Sequence, residues 1–395
     1  MSLIRSPQQI PLQLTRRFFA RFRRSTDANF SQGNRIVLLR SGREFFLDLF
    51  AALEEATAFI CLEFYIIRAD QTGRQLAEIL QRAVQRGVKV ELLYDYIGSF
   101  DTPSSYFSAL EKHGIRCAAF NPPPFRNGLS WFDKRDHRKI AVIDCRLAYA
   151  GGLNIGDEYA GIDSARSWQD MGLRLEGPAA LELHQLFSEN WQEASSLLSH
   201  PGICSPAPAP AAGDAAVAIV SGGPHHNRSR IRAAFLLGMA SAGTNIRIET
   251  PYFLPGPRFI RAMLRAVRRG VTVEIILPAR SDVPLVRLVN RSYYAVLIKG
   301  GVKVYERQGT ILHAKVMLID SSWAVVGSAN LDQRSFHRNY EVSVIVASPE
   351  FGRQVEELFS AELACSRPIL LLEYERRRWL VRWLEWLLLP LNWFL

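Results

Sequence analysis

Two kinds of apolar pattern alternate along this chain. Segments such as FICLEFYII (59–67), KVELLYD (89–95), NIRIETPYFLP (245–255) and TVEIILP (272–278) are short, nearly continuous apolar runs bounded by turn residues. Such runs read as strands buried on both faces. Between them lie longer stretches with apolar residues three to four apart, which predict helices packed on a sheet. Strands alternating with helices at crossover lengths predict an α/β fold.

The pattern occurs twice. A polar turn (RSG, 40–42, and SGG, 221–223) precedes a helix, a strand, a helix ending in RGV (86–88 and 269–271) and a further strand. Glu63 and Glu249 lie 186 residues apart, Gly87 and Gly270 183, and His137 and His313 176. Near-constant displacement indicates an internal repeat, two units packed as a pseudo-dimer. The Pro- and Ala-rich SHPGICSPAPAPAAGD (199–214) cannot sustain a packed element and separates them. The expected divisions are a basic amphipathic segment (1–33), a first domain (34–198), a linker (199–216), a second domain (217–366) and a Trp/Arg-rich tail (367–395).

Composition narrows the partners. A net charge of +10 favours anionic ones, whether nucleic acid, phosphorylated metabolites or acidic lipid. The five cysteines are scattered without zinc-type spacing and are expected to be reduced thiols. No apolar stretch reaches the roughly 18 to 20 residues of a spanning helix, and arginines interrupt the N-terminus in a way that a typical secretory signal does not.

Two apolar strands carry titratable groups: HRKIAVID (137–144) and HAKVMLID (313–320). Residues two apart share a strand face, so His137 and Lys139 project together, as do His313 and Lys315. Asp144 and Asp320 face away if the strands are regular. Seven residues after each aspartate comes Gly-x-x-Asn, in GGLN (151–154) and GSAN (327–330). Glycine permits close approach, and the amides of Asn154 and Asn330 and the Ser328 hydroxyl are hydrogen-bonding groups for an oxyanion. Each unit reads as a donor-rich phosphate cradle. One His-x-Lys pair is most simply a solvated strand end; two copies with identical spacing are not.

H-x-K-x4-D followed by Gly-[GS]-x-Asn, twice per chain, resembles the phospholipase D superfamily over about residues 34 to 360. IETPYFLP and GSANLDQRSFHRNYE (327–341) make the chain most similar to bacterial cardiolipin synthases of the short type without N-terminal spanning helices. Gly152 departs from the pattern, because many members carry a serine or threonine there. The resemblance implies two pseudo-twofold-related α/β sandwich domains, each a mixed sheet flanked by helices, sharing one active site at their interface. His137, Lys139, Asp144, His313, Lys315 and Asp320 form its catalytic set, with Asn154, Ser328 and Asn330 binding substrate. His137 is then the nucleophile and His313 the acid/base. A nucleophilic imidazole needs an acceptor on its other nitrogen. Asp170 and Glu341, 33 and 28 residues beyond the histidines of their own halves, are the candidates. Asp144 and Asp320 are expected to anchor turns rather than to touch substrate. Glu63, Glu249 and Tyr252 are left between pocket lining and packing. No metal or other cofactor is expected.

The termini point to lipid. Four of the eight tryptophans fall in RRRWLVRWLEWLLLPLNWFL (376–395), and residues 1–24 hold six arginines and no acid around Phe18, Phe19 and Phe22. Both suit an anionic headgroup layer. The expectation is a cardiolipin synthase acting on phosphatidylglycerol, peripheral on the cytoplasmic side of a bacterial inner membrane, with no nucleic-acid partner. A phospholipase D-type hydrolase or transphosphatidylase, and a nuclease, stay open as alternatives.

Overall fold

The computed structural model describes residues 15–123, 133–162, 167–195, 211–224 and 229–377. The strands of the first half are β1 (Ser31–Leu39), β2 (Phe59–Phe64), β3 (Lys89–Asp95), β4 (Arg116–Phe120), β5 (Lys139–Ile143), β6 (Leu147–Gly151), β7 (Trp168–Gln169) and β8 (Gly172–Glu176). Those of the second are β9 (Ala215–Gly222), β10 (Asn245–Glu249), β11 (Thr272–Pro278), β12 (Lys303–Arg307), β13 (Ile311–Leu312), β14 (Val316–Ile319), β15 (Trp323–Gly327), β16 (Glu341–Ala347) and β17 (Ser366–Pro368).

Fifteen of these strands form one mixed sheet, in the order β17-β12-β11-β10-β14-β15-β16-β9-β1-β8-β6-β5-β2-β3-β4. Read outward from the β9–β1 junction, the two halves have the same strand order, with β17 added at the edge of the second. The repeat seen in the sequence is therefore a repeat of topology. In each half three neighbouring strands are parallel (β2, β3 and β4; β10, β11 and β12) and the remaining pairings are antiparallel. The junction is short, with Ser31 opposite Val217 and Asn34 opposite Ala215. The Asn34 side chain donates to the Ser31 and Ala215 carbonyls and accepts from the Ala179 amide.

Three cores follow. One lies under the first-half helices Gly42–Glu54 and Gln71–Gln85, a second under Arg230–Ser241 and Gly256–Arg268, and a third joins the halves through Phe187, Trp191, Phe351 and Phe359 on helices Pro178–Ala194 and Pro349–Ala364. The shared core fixes the halves against each other, which a composite site requires.

β5 and β14 each run into a three-residue turn whose first two residues, Asp144–Cys145 and Asp320–Ser321, have φ between 48° and 56°. Two successive left-handed residues match the twist of the flanking strands, and aspartate tolerates the conformation. The Asp144 carboxylate accepts from the Thr57, Ala58 and Phe59 amides and the Thr57 hydroxyl at 2.7–2.9 Å. Asp320 does the same with Gly243, Thr244 and Asn245 at 2.7–3.0 Å. Both pin the start of the neighbouring strand, at the end of the motif strand remote from its histidine. They are structural, and their place in the catalytic set is corrected accordingly. Asp144→Ala is expected to cost about 2–3 kcal/mol of stability by leaving several donors without their acceptor, read from the denaturation midpoint.

Two further expectations change. The basic N-terminal segment forms helix Arg16–Thr26, whose Phe22 is buried in the protein's own second-half core with Phe18 and Phe19 packed against it. These rings are occupied internally, while Arg16, Arg17, Arg21, Arg23 and Arg24 stay exposed. Cys145 is disulfide-bonded, so the expectation of reduced thiols holds for Cys61, Cys117 and Cys365 but not for it. Most of the expected linker and the Trp-rich end of the tail lie outside the described residues. Among the described residues, no helix is long and apolar enough to cross a membrane.

Candidate active site

Two short backbone pairings cross between the halves. The His137 amide donates to the Tyr340 carbonyl at 2.9 Å, and the Tyr340 amide to the Arg135 carbonyl at 2.9 Å. This bridge sets Glu341, the first residue of β16, beside His137. Reciprocally, β13 pairs with β7 in parallel, and the His313 and Ala314 amides donate to the Gln169 carbonyl at 2.7 and 3.1 Å. Asp170 is thereby delivered to His313.

Each imidazole is consequently held by the other half's acid. His137 Nδ1 lies 3.0 and 3.1 Å from the two Glu341 oxygens, and His313 Nδ1 lies 2.6 Å from Asp170 Oδ2. The expected acids are present, but each sits on the histidine opposite to the one its sequence offset suggested. A carboxylate on Nδ1 makes that nitrogen the protonated one and leaves Nε2 as the lone-pair nitrogen.

Both histidines line a cavity of about 570 Å³ together with Asn154 and Asn330, Tyr65, Tyr159, Trp168 and Tyr252. The Tyr65 ring stands 4.9 Å from the His137 ring, and Trp168 and Tyr159 stand 5.0 and 5.5 Å from that of His313. Lys139 and Lys315 do not line the cavity. They are buried behind the histidines, where Lys139 Nζ donates to the His137 carbonyl at 2.7 Å and Lys315 Nζ to the His313 carbonyl. Their charge acts on the site as a field rather than through a free ammonium. Ser328, expected on the substrate, is wholly buried and donates to Glu341 Oε2 at 2.5 Å, while Ser335 donates to Oε1 at 2.8 Å.

Burial governs the charges. It lowers the His137 imidazole, with Glu341 opposing, and takes His313 down to about 4 with the help of the Lys315 charge. It also brings the Lys139 ammonium down to about 7. Both imidazoles are therefore neutral at pH 7, and for His137 that is the form in which Nε2 can attack. Because a lowered pKa keeps a nucleophile deprotonated further into acid, the acid limb of kcat/KM is expected below the ordinary imidazole value of about 6.5. A pH–rate profile checks this.

The sequence profile described as "Cardiolipin synthase, PLD-like domain" matches residues 49–191 and 237–363. The chain is 35% identical over 353 residues to a cardiolipin synthase of Geobacillus sp. (strain WCH70), covering 88% of this chain and 70% of that one. It is 35% identical over 342 residues to cardiolipin synthase A of Pseudomonas putida (strain W619), covering 85% and 70%. The chain belongs to the cardiolipin synthase family. Its fold is also that of the phosphatidylserine synthase from Haemophilus influenzae Rd KW20, with a TM-score of 0.69 at 14% identity over 93% of this chain and 96% of that one.

Within this cardiolipin synthase family member the first glycine of the motif turn is followed by Gly152 in one half and by Ser328 in the other. A Cβ on Gly152 would meet the Asp170 carboxylate oxygens at 2.4 and 2.5 Å. Glycine thus leaves room for the shorter acid, whereas Ser328 is hydrogen-bonded to the longer Glu341. This accounts for the missing hydroxyl in the first half. Gly152→Ser is expected to push Asp170 off His313 and to lower kcat about tenfold or more, with a smaller change in KM, in steady-state assays.

Of the undecided residues, Tyr252 lines the cavity and donates to Asp282 Oδ2 at 2.6 Å. Glu63 lies on the face opposite the histidines, accepting from Asn190 at 2.7 Å near Arg138, and Glu249 is buried close to Glu362 and Arg307. Both serve packing. Sequence reasoning missed Tyr65, Tyr159, Trp168, Ser335, Arg334 and Asn339. Tyr65 was in view within FICLEFYII, one residue past the end of β2; the others lie in loops, short helices or the two-residue strand β7, with no periodicity to mark them.

Proposed function

We propose that the chain makes cardiolipin by transferring a phosphatidyl group from one phosphatidylglycerol to another, with His137 as the nucleophile. The observation that carries this reading is the pair of imidazoles in one cavity, each fixed through Nδ1 by a carboxylate from the opposite half.

In the first displacement the Nε2–P bond to His137 forms, the P–O bond to glycerol breaks, and the departing alkoxide takes a proton from His313. The bound phosphodiester anion raises His313 from its depressed value so that it can carry that proton. In the second displacement His313 takes the proton back from a hydroxyl of the second phosphatidylglycerol. Its oxygen bonds to phosphorus and the N–P bond breaks. The charge on Lys139 and Lys315 and the amides of Asn154 and Asn330 stabilise the developing negative charge. Expected placement is peripheral on the inner face of the bacterial cell membrane, where the exposed arginines of helix Arg16–Thr26 meet anionic lipid. The two domains and the linker follow the repeat, with β9 opening the second half at Ala215.

Incubation with phosphatidylglycerol vesicles and mass spectrometry of the lipids tests the reading. Cardiolipin with equimolar glycerol is expected; phosphatidic acid alone would mean that water is the acceptor and that the chain is a hydrolase.

A further inference from the structure

The chemistry of the paired histidines is symmetric, but the two lipids of the proposed reaction are not equivalent. The donor brings its phosphorus to the histidines. The acceptor brings a hydroxyl, with a phosphodiester of its own one glycerol away, and that second anion must also enter the cavity. An anion moved out of water without a partner is strongly disfavoured, so a transferase selective for such an acceptor needs a cation beyond the histidine pair.

Three arginines line the cavity: Arg68, Arg135 and Arg334. Two are engaged. Arg68 pairs with Glu158 at 2.9 Å and Asp101 at 3.5 Å, and Arg135 with Asp95 at 3.2 Å. Arg334 makes no ion pair or side-chain hydrogen bond with a carboxylate among the described residues. Its charge is nonetheless felt by the Tyr65 phenol, on the His137 side of the cavity, and by the buried Asp332 carboxyl that caps its short helix. The repeat sharpens the contrast. Four residues beyond the motif asparagine the first half has Glu158, which neutralises Arg68, and the second half has Arg334. The wall is thus closed to a further anion on one side and open to one on the other. The cavity, at about 570 Å³, is of a size that takes a drug-sized ligand rather than a single phosphate.

We propose that Arg334 forms a second phosphate subsite, binding the phosphodiester of the acceptor lipid while the histidine pair holds the donor phosphorus. A guanidinium offers two parallel N–H donors to two phosphate oxygens, a geometry that lysine does not reproduce. Arg334 therefore selects an acceptor alcohol that carries a phosphate over one that does not. The inference rests on the phosphatidyltransferase reading above.

The test follows two reactions of the same intermediate in the full-length protein on phosphatidylglycerol vesicles. Cardiolipin formation uses an acceptor with a phosphate; exchange of isotope-labelled free glycerol into phosphatidylglycerol uses one without. Arg334→Gln is expected to lower cardiolipin formation about tenfold or more, the worth of one charge-assisted contact, while glycerol exchange falls by less than about threefold. Arg334→Lys is expected to recover part of the cardiolipin rate. A parallel fall of both reactions would assign Arg334 to the donor step or to folding and overturn the proposal, as would no fall in either. A wild-type protein that exchanges glycerol but makes no cardiolipin would defeat the functional reading itself, and the acceptor subsite with it.

Discussion

Replacing His137 or His313 with alanine is expected to lower cardiolipin formation by about 10³-fold or more while leaving the protein folded. The size follows from the roles. Without His137 no N–P bond can form, and without His313 the glycerol alkoxide must leave unprotonated. The mild effect on folding follows from the surroundings. Each imidazole borders the cavity rather than filling a core, and the acid left behind retains other partners: Ser328 and Ser335 for Glu341, and the Met171 amide at 2.8 Å with Lys315 at 3.8 Å for Asp170. Lipid product analysis beside thermal unfolding separates the two effects. Near-normal turnover in either variant would remove the two-histidine mechanism.

Glu341→Gln carries the next largest expectation, a fall in kcat of roughly 10²- to 10⁴-fold at little cost in KM. Burial alone would raise this carboxyl, but its interaction with His137, the Lys139 charge and the Ser328 hydrogen bond outweigh burial and hold it below its ordinary range. It is therefore an ionised acceptor. The neutral amide loses the charge that steadies the imidazole and presents an N–H where His137 needs an acceptor. One of the Ser328 and Ser335 hydroxyls can still donate to the amide oxygen and the other can turn to accept from the amide N–H, so the local packing survives. Asp170→Asn is expected to act in the same sense on His313. Because the pairs are crossed, each change lies in one half and disables the histidine of the other. Steady-state kinetics with a folding control reads this, and an unimpaired kcat in Glu341→Gln would contradict the orienting role.

The parts of the structure that were legible in the sequence are those set by local pattern. The offsets between Glu63 and Glu249 and between His137 and His313 anticipated two halves of equal strand order. The buried strands were visible because strands covered on both faces are continuously apolar. The motif aspartates were seen as turn anchors, since odd spacing put them off the histidine face. What escaped were contacts made between the halves. The exchange of Asp170 and Glu341 between histidines depends on the Asp136–Tyr340 bridge and on the β7–β13 pairing, and no local periodicity encodes either. The lysines looked like direct anion ligands from strand parity alone, yet the carbonyl two residues back claims each ammonium. Phe22 read as a lipid-facing ring because an amphipathic helix looks the same whether its apolar face meets a bilayer or its own protein.

The account turns on a covalent phosphatidyl group passing through one named histidine. The most direct measurement is peptide mass spectrometry of the His313→Ala variant after incubation with phosphatidylglycerol long enough for the slowed first displacement, with the second displacement slowed alike, and quenching under alkaline conditions that preserve phosphohistidine. The account predicts a phosphatidyl adduct on the peptide bearing His137 and none in the His137→Ala variant. An adduct on His313 in the His137→Ala protein would reverse the roles, and no adduct in either single-histidine variant would contradict the covalent mechanism.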